Sequence, residues 1–194
     1  MTVRTRHHNA AAHREEIADQ VNTNTTDIST LETQSPTLGT EVDATNSGAD
    51  DLTVIDFTGI PSWVQKITIE LVGVSTNGTS DPLIQIGDSG GIEDSGYLGA
   101  SSALGGSVST INYTAGFGLN NSSGAAAILH GVLNLTKEGT LAWVANGTFG
   151  QSNAAAMVLT AGSKSLSAVL TQLRITTAGG SDAFDAGTIN ILYS

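Results

Sequence analysis

The spacing of apolar residues changes once along this chain. Between residues 15 and 34, Ile17, Val21, Asn24, Ile28 and Leu31 follow one another at intervals of four, three, four and three, with nearly all intervening positions polar. Placing Ile17 at a heptad d position puts Val21 and Ile28 at a, and Asn24 and Leu31 at d. This is a coiled-coil seam. So narrow a seam gives a helix little stability alone, so it needs partner helices. β-Branched residues at a, with Ile at one d, favour three strands over two. Pro36 ends the helix, because it cannot donate and disfavours helix at Ser35. The register continues through Leu38 and Val42. Residues 15–45 are therefore expected to form a trimerising coiled coil and neck, with Ile17, Val21, Asn24, Ile28, Leu31, Leu38 and Val42 at the interface. An Asp/Asn/Ser/Gly-rich linker follows at 46–51.

From Leu52 the period is two. Ile67, Ile69 and Leu71 alternate with Lys66, Thr68 and Glu70, and Leu83–Ile86 follows. Further apolar runs lie at 128–135, 141–149, 157–160, 166–175 and 189–193. Asn77-Gly78, Glu138-Gly139, Asn146-Gly147, Ala161-Gly162 and Gly179-Gly180 read as turns between them. The pattern predicts eight to ten strands in a sandwich or jelly roll spanning residues 52–194. A unit of about 140 residues buries roughly two thirds of its unfolded surface, enough for a core. The expected fold class is mainly β, with a short N-terminal trimeric coiled-coil helix ahead of a β-sandwich or jelly-roll-like head.

Composition adjusts this picture. Charged residues make up 13% of the 194, and net charge is −11; an average soluble protein is about 25% charged. Gly, Ser, Thr, Asn and Ala fill the difference, as suits short strands joined by tight turns. The acidic balance gives phosphate-tracking nucleic-acid binding no electrostatic basis. With no cysteine, disulfides and Cys-ligated zinc are excluded. No apolar run reaches the ~20 residues of a membrane helix, and no apolar segment follows the basic N-terminus as in a secretory signal. Three of the four Arg and three of the four His lie in the first fourteen residues. This basic arm is either a frayed terminus or an anchor on an acidic partner, with Arg4, Arg6, His7, His8 and Arg14 as the anchoring residues.

Candidate chemistry is thin. Gly87-Asp88-Ser89-Gly90-Gly91 resembles the nucleophile segment of chymotrypsin-like proteases, and Ala11-Ala12-His13 echoes their histidine segment. The context fails: His13 precedes a coiled coil, His130 follows the serine, and the chain is too short for two barrels. A Gly-rich turn explains the same residues, so no catalytic residue is expected. Asp81, Asp88, Glu93 and Asp94, or Asp182 and Asp185, would suit Ca²⁺ by ligand type but lack the spacing of a known loop. They read as solvated turn carboxylates, and no cofactor or metal is expected. Trp143 lies mid-strand and reads as core. Trp63, after Pro61 in a turn-like segment, and Tyr97 and Tyr113, within the long Gly/Ser region, are the candidates for stacking a sugar ring.

Two resemblances bear on function. Val21-Asn22-Thr23-Asn24-Thr25 resembles the Val-x-x-Asn-Thr repeat of trimeric autotransporter adhesins and phage fibre stalks. That likeness implies Asn24 pointing inward, three copies holding an axial anion. The segments Val64-Gln65-Lys66-Ile67-Thr68-Ile69, Leu71-Val72-Gly73-Val74-Ser75, Ile84-Gln85-Ile86-Gly87-Asp88-Ser89-Gly90-Gly91-Ile92-Glu93, Ser95-Gly96-Tyr97 and Leu173-Arg174-Ile175-Thr176 are similar to a small β-domain of tailed-bacteriophage fibre and spike proteins. Phe184-Asp185-Ala186-Gly187-Thr188-Ile189-Asn190-Ile191-Leu192-Tyr193 extends the likeness to the C-terminus. It implies a virion-surface location and trimeric assembly, with no catalytic or binding motif attached. The expected protein is a homotrimeric, non-enzymatic fibre or spike. Its arm would dock on another virion protein, and its head would contact host glycan or protein. The rival readings are a capsid decoration protein and a polysaccharide-degrading spike.

Overall fold

The computed structural model describes residues 5–45, 52–120 and 127–194, with side chains from residue 11 onward. The chain divides between Ser35 and Pro36 into two compact units. The first is a helix, α1 (Thr5–Thr33), 29 residues long. It starts ten residues earlier than the seam predicts and so takes in most of the basic arm. The physical reason is Ala10-Ala11-Ala12, the best intrinsic helix formers, set just before the seam. Further along, Thr23, Thr25, Thr26 and Thr30 each donate a hydroxyl hydrogen bond to the carbonyl four residues back. Threonine is a poor helix former, and such back-bonding does little to help. The helix therefore has no strong intrinsic reason to persist alone.

The second unit holds fourteen strands among the described residues. They are β1 (Thr37–Leu38), β2 (Val42–Asp43), β3 (Ile55–Thr58), β4 (Lys66–Thr76), β5 (Pro82–Asp88), β6 (Gly91–Ile92) and β7 (Leu98–Leu104). Then come β8 (Val108–Tyr113), β9 (Phe117–Gly118), β10 (Leu129–Glu138), β11 (Ala142–Gln151), β12 (Ala156–Ser165), β13 (Gln172–Thr177) and β14 (Phe184–Tyr193). They form two antiparallel sheets. The larger has nine strands in the order β1-β14-β4-β10-β11-β12-β7-β8, with β2 also on β14; the smaller has five, β3-β13-β5-β6, with β9 on β5. One hydrophobic cluster draws on both. The nine-stranded sheet gives Ile67, Ile69, Leu133, Leu135, Phe149 and Ile191, and the five-stranded sheet gives Ile55, Ile84, Ile86, Leu173 and Ile175.

Three expectations change here. The heptad register does not carry past the helix. Leu38 and Val42 lie on β1 and β2, paired with Leu192 and Ile189 of β14, and residues 36–45 belong to the β unit. After Pro36 the backbone donors find carbonyls on β14; Gly39 N–H, for example, donates to Ile191 O at 2.7 Å. Second, Asn146-Gly147 and Ala161-Gly162 are not turns but sit inside β11 and β12. A Cβ on Gly147 would come within 2.8 Å of Val132 O, and one on Gly162 within 2.8 Å of Gly99 Cα. These glycines serve close strand approach. Third, the supposed Gly/Ser loop contains β7 and β8, whose Gly, Ala and Ser residues carry no strong apolar alternation. The linker at 46–51 lies outside the described residues.

Candidate functional site

The helix seam is fully presented. Ile17, Val21, Ile28 and Leu31 are 51–69% exposed within one chain, and Asn24 is exposed, its Oδ1 accepting from Gln20 Nε2 at 3.0 Å. Every described side chain of α1 is exposed, the four apolar ones among them. Of the anchoring residues, Arg14 is exposed on α1. Arg4, and the side chains of Arg6, His7 and His8, lie outside what is described.

The Ser89 segment is a hairpin turn. Gly87 pairs with Ile92 and Asp88 with Gly91, which leaves Ser89-Gly90 as a two-residue connection between β5 and β6. Asp88 Oδ1 accepts from Gly90 N–H at 2.7 Å and fixes the turn. The histidines are engaged elsewhere. His130 Nδ1 accepts from Gly73 N–H at 3.1 Å and its Nε2 lies 3.2 Å from Ser152 Oγ; His13 pairs with Glu16 along α1.

Around this turn lies a polar cluster that the sequence reading missed. Lys164 is 7% exposed, forms an ion pair with Glu93, and sits 5.5 Å from the centre of the Tyr97 ring. Glu93 Oε1 accepts from Ser167 N–H at 2.7 Å and from its hydroxyl at 2.8 Å. The same hydroxyl lies 2.8 Å from Asp88 Oδ2. Its one proton is therefore shared between two carboxylates. Backbone donation from Gly90, then the Ser167 hydroxyl, hold Asp88 below its ordinary pKa. Burial pushes Glu93 upward, but hydrogen bonds from Lys164 and Ser167 outweigh it and leave the carboxyl lowered. The cluster ties β12 of the larger sheet to the β5–β6 hairpin of the smaller. A signal existed: period two on β12 puts Lys164 in phase with buried Val158 and Thr160.

Three further carboxylates, Asp81, Asp182 and Asp185, also have protein partners. Asp81 Oδ2 lies 2.7 Å from the Tyr113 hydroxyl, Asp182 accepts from Ser80 N–H at 2.7 Å, and Asp185 pairs with the Ser75 hydroxyl. Among the described residues no three His, Asp or Glu side chains gather as a metal site.

The aromatic candidates divide. Tyr97 is 1% and Tyr113 7% exposed, so both are core residues, with too little ring face left to stack a sugar. The Tyr97 hydroxyl accepts from Ile86 N–H at 2.7 Å and donates to Glu93 O at 2.9 Å. Tyr113 shares its proton between Asp81 and Asn120 O, the latter at 2.6 Å. Burial pushes both phenols well above their ordinary pKa. Tyr97 and Tyr113, with Leu98 and Asn112, are among the residues around a hollow of about 350 Å³. Trp63 is half-buried, packs on the core, and has its ring centre 6.0 Å from that of Tyr193. Trp143 is core, as its mid-strand position predicts, with an indole N–H that lacks a hydrogen-bond partner.

Comparison with known proteins adds little. No protein-family model matches the chain, and no curated protein matches it. A solved structure of a protein of unknown function from Shewanella oneidensis MR-1 is similar over 81% of this chain and 74% of that one, at 8% identity and a TM-score of 0.28. A likeness that weak carries no argument about fold or function.

Proposed function

We propose that this chain is a non-enzymatic structural protein of a tailed-phage virion, a homotrimer whose head contacts the host surface. The observation that carries the reading is the seam on α1: Ile17, Val21, Ile28 and Leu31, all more than half exposed at coiled-coil spacing. A Thr-rich helix of this kind gains its stability from burying that seam against copies of itself. Asn24 at d then fixes register and strand number, with the three carboxamides facing the axis as an anion site. The two sheets form a sandwich-type head, supported by the single core to which both contribute. The basic arm, with Arg4, Arg6, His7, His8 and Arg14, docks on an acidic surface of the particle. The non-enzymatic part rests on the Ser89 segment having the geometry and hydrogen bonding of a turn.

Light scattering on the full chain tests the central claim. The expected mass is three times the 19.7 kDa of one chain, and Val21→Asn with Ile28→Asn should dissociate it. A monomeric wild type at micromolar concentration would refute the proposal. The host-contact part is tested separately by pull-down with host cells and by glycan arrays; no binding in either removes it.

A further inference from the structure

The outer face of the larger sheet carries a second apolar surface that is exposed among the described residues. On neighbouring strands β12, β7 and β8, Met157 pairs with Leu104 and Leu104 with Val108. These three form one row across the sheet, exposed by 50%, 40% and 70%. On the same face, by the two-residue period, lie Leu159 at 46%, Val144 at 43% and Leu98 at 76%. β8 ends the sheet order, with no described strand beyond it. Sheet edges are ordinarily guarded by Lys, Pro or other charges. β8, Val-Ser-Thr-Ile-Asn-Tyr, has none.

Charge narrows the choice of what covers this corner. β7, β8, β11 and β12 hold a single charged residue, Lys164, which is buried and paired. The chain as a whole has 18 Asp and Glu, so this face is one from which charge is missing. A partner read by its charge would need counter-charges here. A sugar would want an outward ring, yet Trp143, Phe149 and Tyr113 all point into the core. Copies of an acidic chain gathered about a three-fold axis have the opposite need: residues nearest the axis meet their own copies, so a charge there repels itself and a neutral, apolar corner suits that place.

We infer that the corner built by β12, β7 and β8 is where the heads of the homotrimer meet, three copies gathering about their common axis. The inference rests on the proposed trimer. Its size is consistent with a supporting role. With β11, which carries Val144, four strands about 4.8 Å apart and seven residues long, at about 3.4 Å per residue, present roughly 450 Å². A free-standing interface wants about 800 Å² per partner. The head contact is weak alone, and α1 supplies it by raising the effective concentration of heads.

The absence of cysteine gives a clean test in the full chain. Val108→Cys and Leu104→Cys each place one thiol in the proposed contact, and Thr140→Cys, in the exposed β10–β11 turn, serves as the control. In the native trimer, maleimide should label the first two about tenfold or more slower than the control, since access requires local opening. A short bismaleimide should join Val108→Cys chains covalently. Labelling as fast as the control, in a protein that scatters as a trimer, overturns the head contact and leaves the trimer standing. Protection that develops only when host envelope is added overturns it in favour of a host surface. A monomeric wild type overturns both readings.

Discussion

Replacing Lys164 with methionine keeps the length of the side chain and removes its charge, leaving Glu93 without its cation. Lys164 is 7% and Glu93 23% exposed, so the pair sits in the regime where breaking one partner costs about 3–5 kcal/mol. Glu93 keeps two hydrogen bonds from Ser167 and some contact with water, which places the cost at the low end, about 3 kcal/mol. For a unit of this size each kcal/mol moves Tm by about 2–4 °C, so a fall of roughly 6–12 °C is expected. The assay is thermal unfolding by circular dichroism at matched chain concentration, because any oligomer makes Tm concentration-dependent. A second readout is pH. The lowered folded-state pKa of Glu93 means its stabilisation is present above the ordinary carboxylate value and is lost as pH falls through the folded value. Without Lys164 its hydrogen bond and charge no longer lower that pKa, which rises relative to wild type while Ser167 still holds it down. The variant should therefore lose less stability than wild type between pH 7 and acid pH, and the two curves should converge. Lys164→Met combined with Glu93→Gln should recover part of the loss. A Tm within about 1 °C of wild type, with parallel pH curves, would show that the pair stabilises nothing.

Other substitutions probe the packing. Gly162→Val sets a side chain where a Cβ already comes within 2.8 Å of Gly99 Cα, so urea unfolding should show a loss of about 2 kcal/mol or more. Leu133→Ala empties a fully buried position and should cost about 2–5 kcal/mol by the same measurement. Tyr113→Phe deletes a hydroxyl shared by Asp81 and Asn120, with about 1–2 kcal/mol expected; no change would mean that water replaces it.

Much of the β unit was legible from alternation alone. The phase of Ile67, Ile69 and Leu71 gives both the strand and its buried face, because a pleated strand sends successive side chains to opposite sides. β7 was not legible: Gly99, Ala100, Ser101 and Ser102 differ too little in hydropathy to show a phase. Asn146-Gly147 misled for a related reason. A glycine that lets strands approach and a glycine that turns the chain look the same in one dimension. Leu38 and Val42 fit a heptad by spacing, yet a heptad position has meaning only while the helix lasts, and Pro36 ends it. The candidate site was the least legible part. Lys164 and Glu93 lie far apart in sequence, and Tyr97 and Tyr113 sit among Gly and Ser, the composition of an exposed loop.

By itself the sequence determined the class: a polar helix with one apolar seam, then a β unit with an aliphatic core. Both follow from local periodicity, which each segment carries without knowing its neighbours. Only the tertiary structure decided which residues meet. It placed the Ser89 segment in a hairpin turn, turned two tyrosines inward, paired Lys164 with Glu93, and left one corner of a sheet apolar and uncharged. Those outcomes depend on strand order and register, which long-range pairing sets and no single segment encodes.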